Sequence, residues 1–182
     1  MELDGVDDYI QATSTGLSSG DFTYAAWVKP DTVNDEMVIM APSPAGGNEF
    51  AFWINPVLKA IVNGTTISAN TTMAADEWAH IAVTRSGNAV TIYLNGVSDG
   101  TGTQSDTLEL GGCPLYFGVD IDPTSGCGNS FGNYYDGTLD DIRVYDRALS
   151  QEEITRLYGL GATTKINTNV NTNSVLLDGL LG

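Results

Sequence analysis

The stretch GTLDDIRVYDRALSQEEITRLY, residues 137–158, decides the fold, because a strand, an acidic pair and a fully signalled helix follow one another within it. From Leu139 to Tyr145 the residues alternate faces as a β-strand requires: Asp140, Ile142 and Val144 on one side, Leu139, Asp141, Arg143 and Tyr145 on the other. That alternation puts Asp140 on a row with two β-branched apolar residues. A carboxylate on a core-facing row needs a metal, a basic partner or several amide donors. Ser150 stands three residues before Glu153, the spacing of a capping box, and Leu149 and Ile154 can form the accompanying hydrophobic staple. A short helix over 150–158 follows, burying Ile154, Leu157 and Tyr158 and ending at Gly159.

Outward from this block the chain reads as strands joined by tight turns. Short runs rich in Val, Ile, Thr, Tyr and Phe are punctuated by Asn63-Gly64, Ser86-Gly87-Asn88 and Asn95-Gly96. Such punctuation marks antiparallel hairpins. With 182 residues, 42% of them apolar, the chain can fill one sizeable core. The fold class expected is all-β, a two-sheet antiparallel sandwich with one short C-terminal helix. Strands are expected near 22–30, 49–54, 79–85, 89–95 and 138–146.

Four segments, in order, resemble the laminin G-like domains of the concanavalin A-like lectin and glucanase superfamily. They are LDGVDDYIQ (3–11), FTYAAWVKP (22–30), EWAHIAVTRSGNAVTIYLNGV (77–97) and the block at 137–158. The resemblance implies a concanavalin A-like jelly roll over residues 1–159. It implies nothing specific about chemistry, because this fold hosts lectins, adhesins and glycosidases alike. Residues 160–174 read as a Thr- and Asn-rich linker. The apolar tail VLLDGLLG, closing 160–182, is expected to pack on the domain or to open a following module. Met1-Glu2 reads as the start of a piece cut from a longer chain.

Net charge is −16, from 23 acidic and 7 basic residues. That balance argues against nucleic acid and anionic membrane surfaces as partners, since both demand clustered Lys or Arg. No apolar run approaches the roughly 20 residues that cross a bilayer, and no signal-peptide pattern opens the sequence. Glycosidases of this fold carry Glu-x-Asp-x-Glu or Glu-x-Asp-x-x-Glu on one strand, so that two carboxylates flank one glycosidic bond. No such strand occurs here, nor does HExxH, GxSxG or a P-loop, so no catalytic residue is expected. His80, the one histidine, reads as a strand-face residue.

The resemblance implies a calcium site. In related lichenases and laminarinases the last strand begins with an Asp that holds Ca²⁺ together with oxygens from the opening segment, and Asp140 matches that Asp. Asp4, Gly5, Asp7 and Asp8 offer carboxylates and carbonyls of the hard-oxygen kind that Ca²⁺ takes. Asp120-Ile121-Asp122 lacks the spacing of an EF-hand and reads as a solvated loop. Given the extracellular character of the family, Cys113 and Cys127 are expected to form a disulfide around a Gly, Pro and Asp loop, with two buried free thiols or, ranked last, a metal site as the alternatives. Such a bridge would contribute roughly 3 kcal/mol.

Two aromatic sets are candidates for a ligand surface. Trp27, Trp53 and Tyr93 alternate with core residues and so point to outer faces, which are either a binding surface or a second core layer. Phe131, Tyr134 and Tyr135, with Asn133, form a loop set beside the cysteines. Sugar rings stack on aromatic planes while Asn and Asp hydrogen-bond their hydroxyls. The expectation is a secreted, non-catalytic carbohydrate-binding module of a multidomain protein. A protein-binding adhesion domain, a structural spacer and, ranked last, a divergent glycoside hydrolase are the alternatives.

Overall fold

The computed structural model describes residues 1–13, 20–33, 36–42, 50–62, 64–105, 114–121 and 131–165. In chain order they form β1 (Glu2–Asp4), β2 (Ile10–Ala12), β3 (Phe22–Pro30), β4 (Met37–Pro42), β5 (Phe50–Asn55), β6 (Val57–Val62) and β7 (Thr65–Thr72). Then come β8 (Ala79–Ser86), β9 (Ala89–Leu94), β10 (Val97–Thr103), β11 (Leu115–Phe117), β12 (Asp120–Ile121), β13 (Phe131–Gly132), β14 (Asp136–Tyr145) and the helix α1 (Gln151–Lys165). One antiparallel sheet runs β1-β14-β3-β8-β9-β10 and the other β2-β11-β4-β5-β6-β7, while β12 and β13 form a separate ribbon.

The two sheets bury their inner rows against each other. Phe22, Tyr24, Ala26 and Val28 of β3 and Val90 and Ile92 of β9 meet Phe50, Phe52 and Ile54 of β5 and Leu58, Ala60 and Val62 of β6. These are the alternating positions the sequence marks, so period-two patterning sets the register of both sheets. Asn95 and Gly96 both take positive φ, 51° and 79°, between β9 and β10. Two such residues make the hairpin turn whose twist suits the flanking strands.

Two sequence expectations need correction here. Asp140 is not on the core-facing row. In β14, Asp140 pairs with Trp27 and Arg143 with Ala25, so two residues, Asp141 and Ile142, stand against Ala26 alone. That is a β-bulge, with Asp141 at φ 48°. It resets the alternation, so Leu139 and Ile142 both face the core and Asp140 turns outward. The carboxylate finds a basic partner there, Lys165.

The helix also continues past Gly159 to Lys165. Gly161 lies so close over Trp27 that any Cβ would overlap the indole, which makes this glycine a packing residue and not a terminator. Further along, the Lys165 ammonium sits 4.8 Å from the Trp78 ring centre. Ser150 and Glu153 form the expected capping box: the Ser150 amide donates to Glu153 Oε2 at 2.9 Å and the Glu153 amide to Ser150 Oγ at 3.3 Å. Leu149 and Ile154 bury together with Ala25, Ala82 and Tyr93, so α1 covers the outer face of the first sheet.

Candidate functional site

The second sheet leaves an aromatic group at its β2–β11 end. In β11, Leu115 and Phe117 join the core between the sheets. Tyr116 between them faces outward and is buried against Val119, Ile121 and Tyr134. The ribbon of β12 and β13 is tied down beside it, since the Val38 amide of β4 donates to the Asn133 carbonyl at 3.1 Å. Tyr9 and Phe131 stack with ring centres 5.1 Å apart and planes 19° apart. Each ring also lies 5.8 Å from Tyr116, at a tilt. Tyr116 is 4% exposed, whereas Tyr9 and Phe131 are 39% and 36% exposed, so a buried ring props a flat, open pair. Gln11 Nε2 donates to the Tyr116 hydroxyl at 3.2 Å. Burial, and then the neighbouring Tyr9 phenol, push that hydroxyl's pKa up, so it stays protonated.

A carboxylate-lined cleft adjoins this shelf. Its connection is covalent: Asp7 and Asp8 directly precede Tyr9, and Asn133 and Tyr134 directly follow β13. The Asp4, Asp7 and Asp8 carboxylates approach within 4.8 Å of one another. Asp4 stands opposite Asp136 where β1 pairs with β14. Gly5, at φ +72°, lets the chain turn tightly over Asp136, whose Cβ would lie 2.9 Å from a Cβ at position 5. The cleft, about 360 Å³, is lined by Asp4, Glu36 and Asp136 with Thr32, Asn133 and Tyr134, and by no Lys or Arg among the described residues. Burial first, then Asp31 and Asp4, raise the Asp136 pKa.

The structure separates some of the residues that sequence reasoning grouped. Asp140 lies on the outer face with Lys165 and is not brought to Asp4, Asp7 and Asp8. Trp27 is fully buried beneath α1, against His80 and Tyr158 at ring distances of 5.5 and 5.7 Å. Tyr93 is buried in the same layer. Beneath α1 that outer face is a second core layer. Tyr135 belongs to the core between the sheets. Trp53 is half-buried on the second sheet, between Val38 and Lys59. Phe131, Tyr134 and Asn133 do converge on the shelf, and Asn133 Nδ2 donates to Asp120 Oδ2 at 3.4 Å. Tyr9 and Tyr116 were missed. Their only sequence signals are an aromatic after two Asp residues and the outward position of an alternating triplet. Cys113, Cys127 and Asp122 lie outside the described residues, as does the tail beyond Lys165.

A laminin G model of the concanavalin A-like lectin/glucanases superfamily matches residues 4–155. Three solved structures share the fold. A native heptameric SAP-like pentraxin from Limulus polyphemus aligns at TM-score 0.72 with 18% identity, over 86% of this chain and 80% of that one. Domain 4 of AbnA, a GH43 extracellular arabinanase from Geobacillus stearothermophilus in complex with arabinotriose, aligns at 0.66 with 20% identity, over 86% and 75%. A putative carbohydrate binding protein from Bacteroides ovatus aligns at 0.66 with 16% identity, over 86% of this chain but 47% of its own length.

Proposed function

We propose that this chain, which belongs to the concanavalin A-like lectin/glucanases superfamily, is a non-catalytic carbohydrate-binding module of a secreted multidomain protein, stabilised by calcium. The observation that carries the reading is the open Tyr9–Phe131 pair, held flat by a buried Tyr116 beside a polar cleft. A pyranose or furanose ring lays its CH face on such a shelf, while Asn133, Gln11 and the cleft carboxylates accept or donate hydrogen bonds to its hydroxyls. Rigidity matters as much as contact, because a shelf already in place costs little ordering entropy on binding. Binding domains recur among proteins of this fold, including the arabinanase domain solved with arabinotriose. That arabinanase is extracellular, which supports a secreted setting here.

Calcium belongs to the same corner. Carboxylate oxygens within 4.8 Å of each other match the span across a Ca²⁺ coordination sphere, whose bonds run to about 2.4 Å. Asp4, Asp7 and Asp8 are the ligands of this site. Gly5 is the turn that brings them together, and Asp140 is not a member. A glycan array read with calcium and with EDTA tests the function. A module of this kind gives sugar hits that diminish in EDTA, whereas a spacer gives none and a hydrolase releases products.

A further inference from the structure

We infer that the shelf and its cleft select uncharged sugar units and exclude anionic ones such as uronates, sialates and sulfated sugars. The inference rests on the carbohydrate reading and adds the ligand's charge class. Three observations carry it. The cleft presents Asp4, Glu36 and Asp136 and has no basic residue in its lining among the described residues. Asp120 on β12 pairs with Gly132, the neighbour of Phe131, and because Ca²⁺ held by Asp4, Asp7 and Asp8 offsets their charge, the repulsion falls to Glu36, Asp120 and Asp136. The whole chain carries −16, so the long-range field has the same sign as the local one. An anionic glycan laid on Tyr9 and Phe131 would bring its charge to the side of the shelf that carries these carboxylates. At a protein surface each such like-charge contact is unfavourable, and the sum decides specificity by repulsion. The aromatic shelf itself is indifferent to ligand charge, so it supplies affinity and the carboxylates supply discrimination.

Calorimetric titrations in calcium-containing buffer, using neutral polysaccharides (arabinan, galactan, mannan) and acidic ones (polygalacturonate, alginate, heparin), decide the matter. Neutral ligands bind, their affinity falls in Tyr9→Ala and Phe131→Ala, and acidic ligands bind about tenfold more weakly or not at all. Raising salt narrows the gap by screening, and Glu36→Gln strengthens acidic binding. An acidic glycan that binds as tightly as any neutral one through Tyr9 and Phe131 overturns the charge selection while leaving the carbohydrate reading intact. An acidic affinity unmoved by both salt and Glu36→Gln also overturns the charge selection. Failure of every glycan of either kind overturns the carbohydrate reading itself.

Discussion

Gly161 of the helix lies directly on Trp27 of the central strand β3, with no room for a methyl group between them. The contact seals the part of the first sheet's outer face that carries Trp27. It also leaves the Trp27 indole nitrogen buried without a hydrogen-bond partner among the described residues. Close approach by a glycine backbone is what lets a bulky aromatic and a helix share this layer.

Gly161→Ala therefore forces α1 off the sheet, and the overpacking cost of about 1–3 kcal/mol outweighs the gain of up to about 1 kcal/mol in helix propensity. Gly159→Ala, where a Cβ meets open space, is neutral or stabilising. Urea denaturation of the two variants separates these outcomes.

The bulge makes a second prediction. Asp141 holds φ 48° and its carboxylate receives two hydrogen bonds from the Arg143 guanidinium, at 3.0 and 3.1 Å. Asp141→Val costs about 1–2 kcal/mol because a β-branched residue resists the left-handed region. Asp141→Gly costs less, having no Cβ to clash. The same denaturation experiment reads both.

Calcium linkage gives a third. Ca²⁺ at a hundredfold excess over its dissociation constant stabilises the fold by about 2.7 kcal/mol. Asp7→Asn and Asp8→Asn reduce that gain, and Asp140→Asn leaves it intact. Asp140→Asn instead loses the half-exposed pair with Lys165, worth about 0–1 kcal/mol. Melting curves with calcium and with EDTA measure each variant.

Acid behaviour follows from two groups. Burial lowers the His80 pKa to about 4, an effect that Asp141 opposes and Arg143 reinforces. The unfolded chain takes up this proton near pH 6.5, well above the folded protein, so stability falls as pH drops from about 6.5 to about 4, by up to about 3 kcal/mol. His80→Gln flattens that limb. Glu153, held at about 2 by Arg147 and then by the Ser150 amide, works lower. Its contribution is present above its unfolded pKa of about 4.3 and is lost as pH falls through about 2. Stability measured from pH 8 to pH 2 shows both windows.

Most of the scaffold was legible in the sequence because period-two patterning is written residue by residue. The inner rows of β3, β5 and β9 follow the alternation of Phe22-Tyr24-Ala26-Val28, Phe50-Phe52-Ile54 and Val90-Ile92. The capping box at Ser150 and Glu153 likewise needs only local spacing. Misreadings arose where one residue changes the period or where the decisive partner is distant. Asp141 in the left-handed region reverses the faces of β14, and nothing in Leu139-Asp140-Asp141-Ile142 announces it. Gly159 read as the helix terminator, yet α1 runs on so that Gly161 can pack on Trp27, a partner that no local spacing reveals. The shelf joins Tyr9, Tyr116 and Phe131 from three distant segments, so only the fold brings it together. Trp27 and Tyr93 pointed outward as expected, but that α1 would cover them was beyond the reach of strand alternation.

The central claim is that sugar binds on Tyr9 and Phe131. Its most direct test is a calorimetric titration of a neutral glycan, chosen from the array, into the unmodified protein, Tyr9→Ala, Phe131→Ala and the remote surface variant Val97→Ala, all checked for equal melting temperature. Sugar binding on this pair of rings means a loss of about tenfold or more in affinity for each shelf variant and no change for Val97→Ala. Undiminished affinity in both shelf variants would contradict it.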